Sequence, residues 1–312
     1  MLLDYYINMK NILRFLLLSP MVLMSTSCNK NDKPKDPVPV DVVVISGQSN
    51  AVGCTWCDCI KRSIGYSKYQ EYSEGYNDIQ IAFDSWTKDE DGSFYSQNKS
   101  KDNNFMKVIL GQGNGLHSFG PEIGIADSMH EKYAGKLFII KYACGASNLK
   151  DDWMKDQNKM YPKLINYVKT QMQNLETKGY IPTIKAFCWM QGEGDAWDGY
   201  HEHYYDNTKQ FVQDIRADLK DLAGGNEELP FIDAAINAMK ARWPKYKEVN
   251  AAKVQFSEES ENNIFIDTNA EGLHTNVEPF NEPDTAHYDS ESQVKLGELF
   301  AQSFEKYLSN NS

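Results

Sequence analysis

The run from Val42 to Ile45 constrains what this chain can fold into more than any other segment. It belongs to D-V-V-V-I-S-G-Q-S-N-A-V-G, Asp41 to Gly53, and an unbroken β-branched run is what a parallel strand buried on both faces requires. The run stops abruptly at Ser46-Gly47, and the polar residues Gln48-Ser49-Asn50 follow at the strand's carboxyl end. In open α/β sheets, ligands bind outside those carboxyl ends. A small hydroxyl residue held there on a glycine-flanked turn, Ser49, is a candidate nucleophile; a surface turn without chemistry is the competing reading.

The same pattern recurs twice. Leu137 to Ala143 (L-F-I-I-K-Y-A) ends at Cys144-Gly145, and Ile184 to Met190 (I-K-A-F-C-W-M) ends at Gln191-Gly192-Glu193. Asp78 to Phe83, Leu229 to Ala235 and Ile264 to Asp267 also read as strands. Helical spacing covers Tyr161 to Leu175, Tyr204 to Leu222, Trp243 to Glu258 and Gln293 to Leu308. Another helix opens at Gly120-Pro121-Glu122, where the missing proline N–H costs nothing. Residues 54–78, rich in Tyr, Ser and Gly, and the polar stretch 89–104 read as long loops. Alternation of this kind predicts a parallel sheet with helices on both faces. The ends at Ser49, Gly145 and Gln191 then converge on one rim.

With 41% hydrophobic and 12% aromatic residues, disorder is excluded as the state of the chain. A formal charge of −12 and a pI near 5.0 argue against a nucleic-acid partner. The 18 tyrosines and 6 tryptophans suit a sugar-binding protein and an ordinary packed core equally well.

The first residues read as a targeting segment. Lys10 and Arg14 precede an apolar run, Phe15 to Met24, too short to span a bilayer but the right length for a signal-peptide core. Met9 is the expected start, because Met9-Lys10 supplies the basic end that residues 1–8 lack. Ser25-Thr26-Ser27 then lead to Cys28, a pattern that resembles a bacterial lipoprotein signal with Cys28 as the lipidated residue. Residues 1–28 are thus read as signal, 29–40 as a flexible Lys/Asp/Pro tether and 41–310 as one domain. Export and a lipid anchor to the bacterial cell envelope follow, with a plain secretory peptide as the alternative. Outside the cytoplasm, Cys54, Cys57, Cys59, Cys144 and Cys188 could pair, though their odd number leaves one free. A disulfide that rigidifies the Cys54–Cys59 loop is the expectation. C-x-x-C-x-C without a second ligand pair makes a weak zinc site, and no metal is assigned.

Five blocks together resemble the SGNH hydrolase superfamily, in its sialate O-acetylesterase and carbohydrate esterase family 6 branch, which includes acetylxylan esterases. They are G-Q-S-N at 47–50, G-P-E-I-G-I-A at 120–126, K-Y-A-C-G-A-S-N-L-K-D-D-W at 141–153, W-M-Q-G-E-G-D at 189–195 and D-T-A-H-Y-D-S-E-S-Q-V-K-L-G at 284–297. The likeness runs from Val42 to Phe304. It implies a flavodoxin-like three-layer α/β/α sandwich around a central parallel sheet.

A serine hydroxyl is a weak nucleophile until a base takes its proton. The resemblance gives that role to His287, oriented by Asp284 three residues earlier, and implies oxyanion donors at the Ser49 and Gly145 backbone N–H and the Gln191 amide. Gln48, Asn50 and Glu193 are supporting residues of the same blocks. Many relatives read G-G-T or G-G-S where this chain has Cys144-Gly145-Ala146-Ser147, which puts the local geometry there in question. Trp153 and Trp197 are candidates for stacking on a sugar ring or, equally, for core packing, Asp289 for capping the last helix, and His201-x-His203 for exposed histidines. The implied function is a serine esterase that removes acetyl groups from a carbohydrate, acetylxylan-type or sialate, without a cofactor and with the membrane met only through the lipid. The alternatives are an esterase for lipids or small acyl esters, against which G-Q-S-N in place of G-D-S counts, and a surface glycan-binding lipoprotein without activity.

Overall fold

In the computed structural model, which describes residues 36–311, the Val42–Ile45 run is the centre of strand β1 (Val38–Gly47), fully buried from Val42 onward. Nine further strands follow: β2 (Thr55–Trp56), β3 (Tyr76–Lys88), β4 (Phe94–Lys99), β5 (Met106–Val108), β6 (Ser118–Phe119), β7 (Leu137–Gly145), β8 (Tyr180–Met190), β9 (Phe231–Ala234) and β10 (Asn263–Ile266). The main sheet runs β10-β9-β8-β1-β7-β3-β4, with β5 also on β3. Its first six strands are mutually parallel, while β4 and β5 pair with β3 antiparallel. β2 and β6 form a separate two-stranded ladder.

The helices are α1 (Ser49–Val52), α2 (Ile60–Ser63), α3 (Tyr66–Glu74), α4 (Glu122–Tyr133), α5 (Met160–Thr177), α6 (Glu193–Asp198), α7 (Tyr204–Leu219), α8 (Tyr246–Ser257) and α9 (Ser290–Asn310). α4 packs on α9, and α5 on β7 and β8. Every residue of β7 is buried, so both faces of the sheet are covered. This is the α/β/α layering that the sequence predicts. Gly47 of β1 pairs with Ala143 of β7 and Met190 of β8. The three apolar runs therefore lie side by side with their carboxyl ends level.

Three expectations change. The expected 54–78 loop contains β2, a 3-10 turn (Cys57–Cys59), α2 and α3. The 89–104 loop contains β4, which closes a hairpin with β3. The expected tether ends earlier, since Val38 is already in β1 and opposite Tyr180. The signal segment and Cys28 lie outside the described residues. No helix among the described residues is long and apolar enough to cross a membrane.

Candidate active site

Ser49 opens α1 directly after the turn that ends β1. Gly47 makes that turn possible: its φ is +137°, and a Cβ there would lie 2.0 Å from the Met190 carbonyl oxygen. The turn is pinned to the end of β8, with the Gln48 N–H donating to Met190 O at 2.9 Å. Gln48 Oε1 accepts from Gln191 Nε2 (3.2 Å), Gly192 N (3.2 Å) and Gly194 N (3.1 Å). Beneath α1, the fully buried Lys141 donates to Val52 O (3.0 Å) and Gln112 O (2.7 Å) and pairs with Glu122 at 2.7 Å. That pair is why the block at 120–126 belongs to the site: it clamps the last residue of the nucleophile helix. Gly145 faces Ser49 from the end of β7, where a Cβ would lie 3.9 Å from Ser49 Cβ. Glycine leaves that space open to a substrate.

His287 and Asp284 form a close pair, Nδ1 to Oδ2 at 2.6 Å. Asp284 Oδ1 also accepts the N–H groups of Ala286 (2.7 Å) and His287 (3.2 Å), so one carboxylate shapes its own loop and orients the ring. Those bonds and the neighbouring imidazole hold its carboxyl down at about 2, against the opposing effect of burial. Asn50 ties this loop to the nucleophile turn. Its Oδ1 accepts the Tyr288 N–H at 3.0 Å, and its Nδ2 donates to Glu193 Oε1 at 2.8 Å. The neighbour of Ser49 thus grips the neighbour of His287.

No hydrogen bond joins Ser49 to His287 among the described residues. The Cys54 sulfur lies against the imidazole instead. Burial opposes charge on His287, but Cys54 and Asp284 outweigh it and push its pKa up to about 10.

Gln191 lies at the expected strand end but meets other partners than an oxyanion donor would. It is fully buried, and its Nε2 donates to Gln48 Oε1 and to Asp195 Oδ2 (2.6 Å), while Tyr204 donates to its Oε1 (3.0 Å). Gln48 Oε1 already accepts two backbone N–H groups, so the orientation of the Gln191 amide is fixed. Both amide hydrogens are spent, and none is left for an oxyanion. Gln191 is a strut under the turn. Asp195, not singled out by the sequence, carries that strut and also accepts the Leu149 and Lys150 N–H groups at 2.8 and 3.3 Å. Glu193 is buried with Oε2 unpaired, and burial raises its pKa. At the departure from the family pattern, Ala146 takes a left-handed φ of +57°, a conformation that costs a non-glycine residue about 1–2 kcal/mol.

Other assignments move. Trp153 is wholly buried, donating Nε1 to Ser147 Oγ at 2.8 Å and packing edge-on against Trp189, so it cannot stack on a substrate. Trp197 is exposed, with Arg242 over its ring, and lines none of the cavities beside His287. Asp289 stands at the N-cap, just before α9, but its side chain makes no cap bond; its carboxylate holds His274 Nδ1 (2.6 Å) and the Glu278 N–H (2.8 Å). The five described cysteines are all free, so the expected disulfide is not formed. No group of three or more metal-ligating side chains comes together among the described residues.

The profile of a family described as carbohydrate esterase, sialic acid-specific acetylesterase, matches residues 39–306. No curated protein sequence matches. Among solved structures, NanS superposes with a TM-score of 0.62 at 14% identity, over 88% of this chain and 99% of its own. A protein from Arabidopsis thaliana gives 0.57 at 21%, over 86% and 98%. A carbohydrate acetylesterase from Xanthomonas citri gives 0.53 at 14%, over 84% and 55%. At such identities the likeness is one of fold.

Proposed function

This chain belongs to the carbohydrate esterase, sialic acid-specific acetylesterase family, and from that premise we propose that it removes O-acetyl groups from a glycan through an acetyl-enzyme on Ser49. His287 takes the Ser49 proton as Oγ attacks the acetyl carbonyl. The Ser49 N–H, which as the first of its helix has no intrahelical partner, and the Gly145 N–H receive the oxyanion. Collapse expels the sugar oxygen, protonated by His287. Water, deprotonated by the same ring, then attacks the acetyl carbonyl, and acetate leaves with Ser49 restored. Asp284 holds the tautomer that leaves Nε2 open to accept the proton. The observation that carries this reading is the bond from Asn50 to the Tyr288 N–H, which makes the serine turn and the His–Asp loop one unit. Acetate release from acetylated oligosaccharides by the wild type and a Ser49→Ala variant tests it. The sequence upstream supports export and anchoring through Cys28; radiolabelled fatty acid should be incorporated by the full chain and lost in Cys28→Ala.

A second reading has one observation in its favour: the Cys54 sulfur, not Ser49 Oγ, is against His287. Cys54→Ala separates the two. The base must be neutral to accept a proton, so activity falls as pH drops through the His287 pKa. Cys54 is the first of the influences that raise that pKa. Its removal should therefore shift the acid limb of kcat/KM to lower pH and increase activity near neutrality. Loss of hydrolysis would make Cys54 the nucleophile.

Glu193 has a positioning role through Asn50. Glu193→Ala removes the nearer acceptor of the Asn50 amide, leaving only the Ala286 carbonyl at 3.5 Å, and kcat should fall about tenfold, the size of one lost buried hydrogen bond. Glu193→Gln keeps an acceptor and should recover most of that loss. Equal loss in both variants, measured on one acetate ester, would refute the role.

A further inference from the structure

Cys54 stands in the site with no part in the hydrolysis described above. It follows Gly53, the residue that closes α1, and its sulfur is hydrogen-bonded to the His287 ring. Cys54, Asp284 and His287 line one cavity of about 400 Å³, within the range of small-molecule sites, about 300–1,000 Å³. Leu116 on the same wall is exposed, so the cavity is open to solvent.

The other four described cysteines are placed differently. Cys57, Cys144 and Cys188 are buried, and burial pushes each thiol up, Cys57 to about 12. Cys59 is half-buried and lines a separate cavity with Arg62, His274, Glu278, Asp289 and Glu291. Burial and the Glu278 carboxylate push its thiol up to about 11. Thiols held protonated in this way are poor nucleophiles, because the thiolate is the form that attacks. Among the described cysteines, Cys54 alone is both half-exposed and against an imidazole.

The charges facing Cys54 are of both signs, and most are already matched. The Lys141 ammonium acts on the sulfur from beneath α1 but pairs with Glu122 at 2.7 Å. Asp284 pairs with His287 at 2.6 Å. Glu278, across a smaller cavity, accepts the Ser290 N–H at 2.7 Å and the Ser290 hydroxyl at 2.9 Å. His117 and Tyr288 are the other titratable neighbours. The group bonded to the sulfur itself is His287, which is charged below about pH 10. A cation there stabilises the negative charge that sulfur carries as it attacks. The proton state that keeps His287 from serving Ser49 is therefore the one that favours reaction at Cys54.

We propose that Cys54 is a redox modification site, captured by a low-molecular-weight disulfide as a mixed disulfide that fills the cavity beside His287 and reversibly switches hydrolysis off. The Cys54 sulfur attacks one sulfur of the small disulfide, whose S–S bond breaks. The other half leaves as a thiol, carrying the proton that Cys54 and His287 had shared. A dithiol reverses the step: it reduces the mixed disulfide, restores the Cys54 thiol and is itself oxidised to a cyclic disulfide. The switching rests on the acetylesterase reading above; the capture does not.

The test treats wild type, His287→Ala, Cys59→Ala and Cys54→Ala with dipyridyl disulfide at about pH 6, where an ordinary thiol is under about 1% thiolate. Released pyridinethione reports each bond formed. Wild type should react about tenfold or more faster than His287→Ala. Cys59→Ala should match wild type, and Cys54→Ala should lose the fast phase. Peptide mapping of wild type should place the pyridylthio group on Cys54. Acetate release from an acetylated oligosaccharide should fall in proportion to the label and return with dithiothreitol, while Cys54→Ala keeps its own activity through the same treatment. A label that reaches Cys59 first, or equal rates in wild type and His287→Ala, overturns the proposal. So does undiminished acetate release by protein labelled at Cys54. Untreated wild type that releases no acetate overturns the esterase reading instead, and the labelling rates, which need no ester, still decide the capture.

Discussion

Ser49→Ala is expected to remove acetate release, with a fall in kcat of about 10⁴-fold or more, as loss of the nucleophile does in serine hydrolases. The fold should be untouched. Ser49 begins α1, a position where alanine fits without strain, and the hydrogen bonds that fix the turn come from Gln48, Asn50 and the backbone rather than from the Ser49 hydroxyl. Calorimetric binding of an acetylated oligosaccharide should survive in the variant, since the walls of the cavities do not change. Release of acetate near the wild-type rate would mean that the attacking atom lies elsewhere.

Asp284→Asn should lower kcat by about 10³–10⁴-fold while conserving the loop. An asparagine Oδ1 can still accept the Ala286 and His287 N–H groups that Asp284 takes now. Its Nδ2, however, donates where the carboxylate accepted. The imidazole would then present an unprotonated Nδ1 to it and carry its hydrogen on Nε2, where it cannot take the serine proton. The pH profile supplies a second readout. Asp284 raises the His287 pKa, and its own carboxyl, held down at about 2, is charged across the working range. Removing that charge lowers the His287 pKa. The residual activity of Asp284→Asn should therefore persist to lower pH than that of the wild type. An acid limb that stays in place would mean that Asp284 does not act through His287.

The sheet was legible because its strands are apolar throughout and end at small or polar residues. Val42–Ile45, Leu137–Ala143 and Ile184–Met190 lie as neighbours in the sheet, their ends level. The segment 54–78 was not legible, for a physical reason. α3 is not held by an apolar stripe: the hydroxyls of Tyr72 and, just after the helix, Tyr76 donate to Asp127 at 2.8 and 2.7 Å, with Lys68 on the same carboxylate at 2.9 Å. Hydrophobic periodicity cannot register a helix anchored by tyrosine hydroxyls. The strand β4, F-Y-S-Q-N-K, is similarly polar and half-exposed, and only its pairing with β3 makes it a strand.

Within the site, the motifs located the residues better than their roles. Gln191 lies where the block W-M-Q-G-E put it, at a strand end beside Ser49, yet which partners its amide meets depends on Gln48 and Asp195, distant in the chain or one helical turn away. No spacing rule distinguishes a glutamine that faces substrate from one that braces a turn. The tryptophans show the same limit. Trp153, next to a motif, is core, while Trp56, in the cysteine-bearing segment, reaches the cavity by Asp284 and His287.

The most direct test of the central claim is to find the acetyl group on the enzyme. Wild-type protein quenched in acid during turnover of an acetylated oligosaccharide, then digested and sequenced by mass spectrometry, should carry one acetyl group on Ser49 and none in the Ser49→Ala variant. An acetyl group on Cys54, the side chain that lies against His287, would contradict the account.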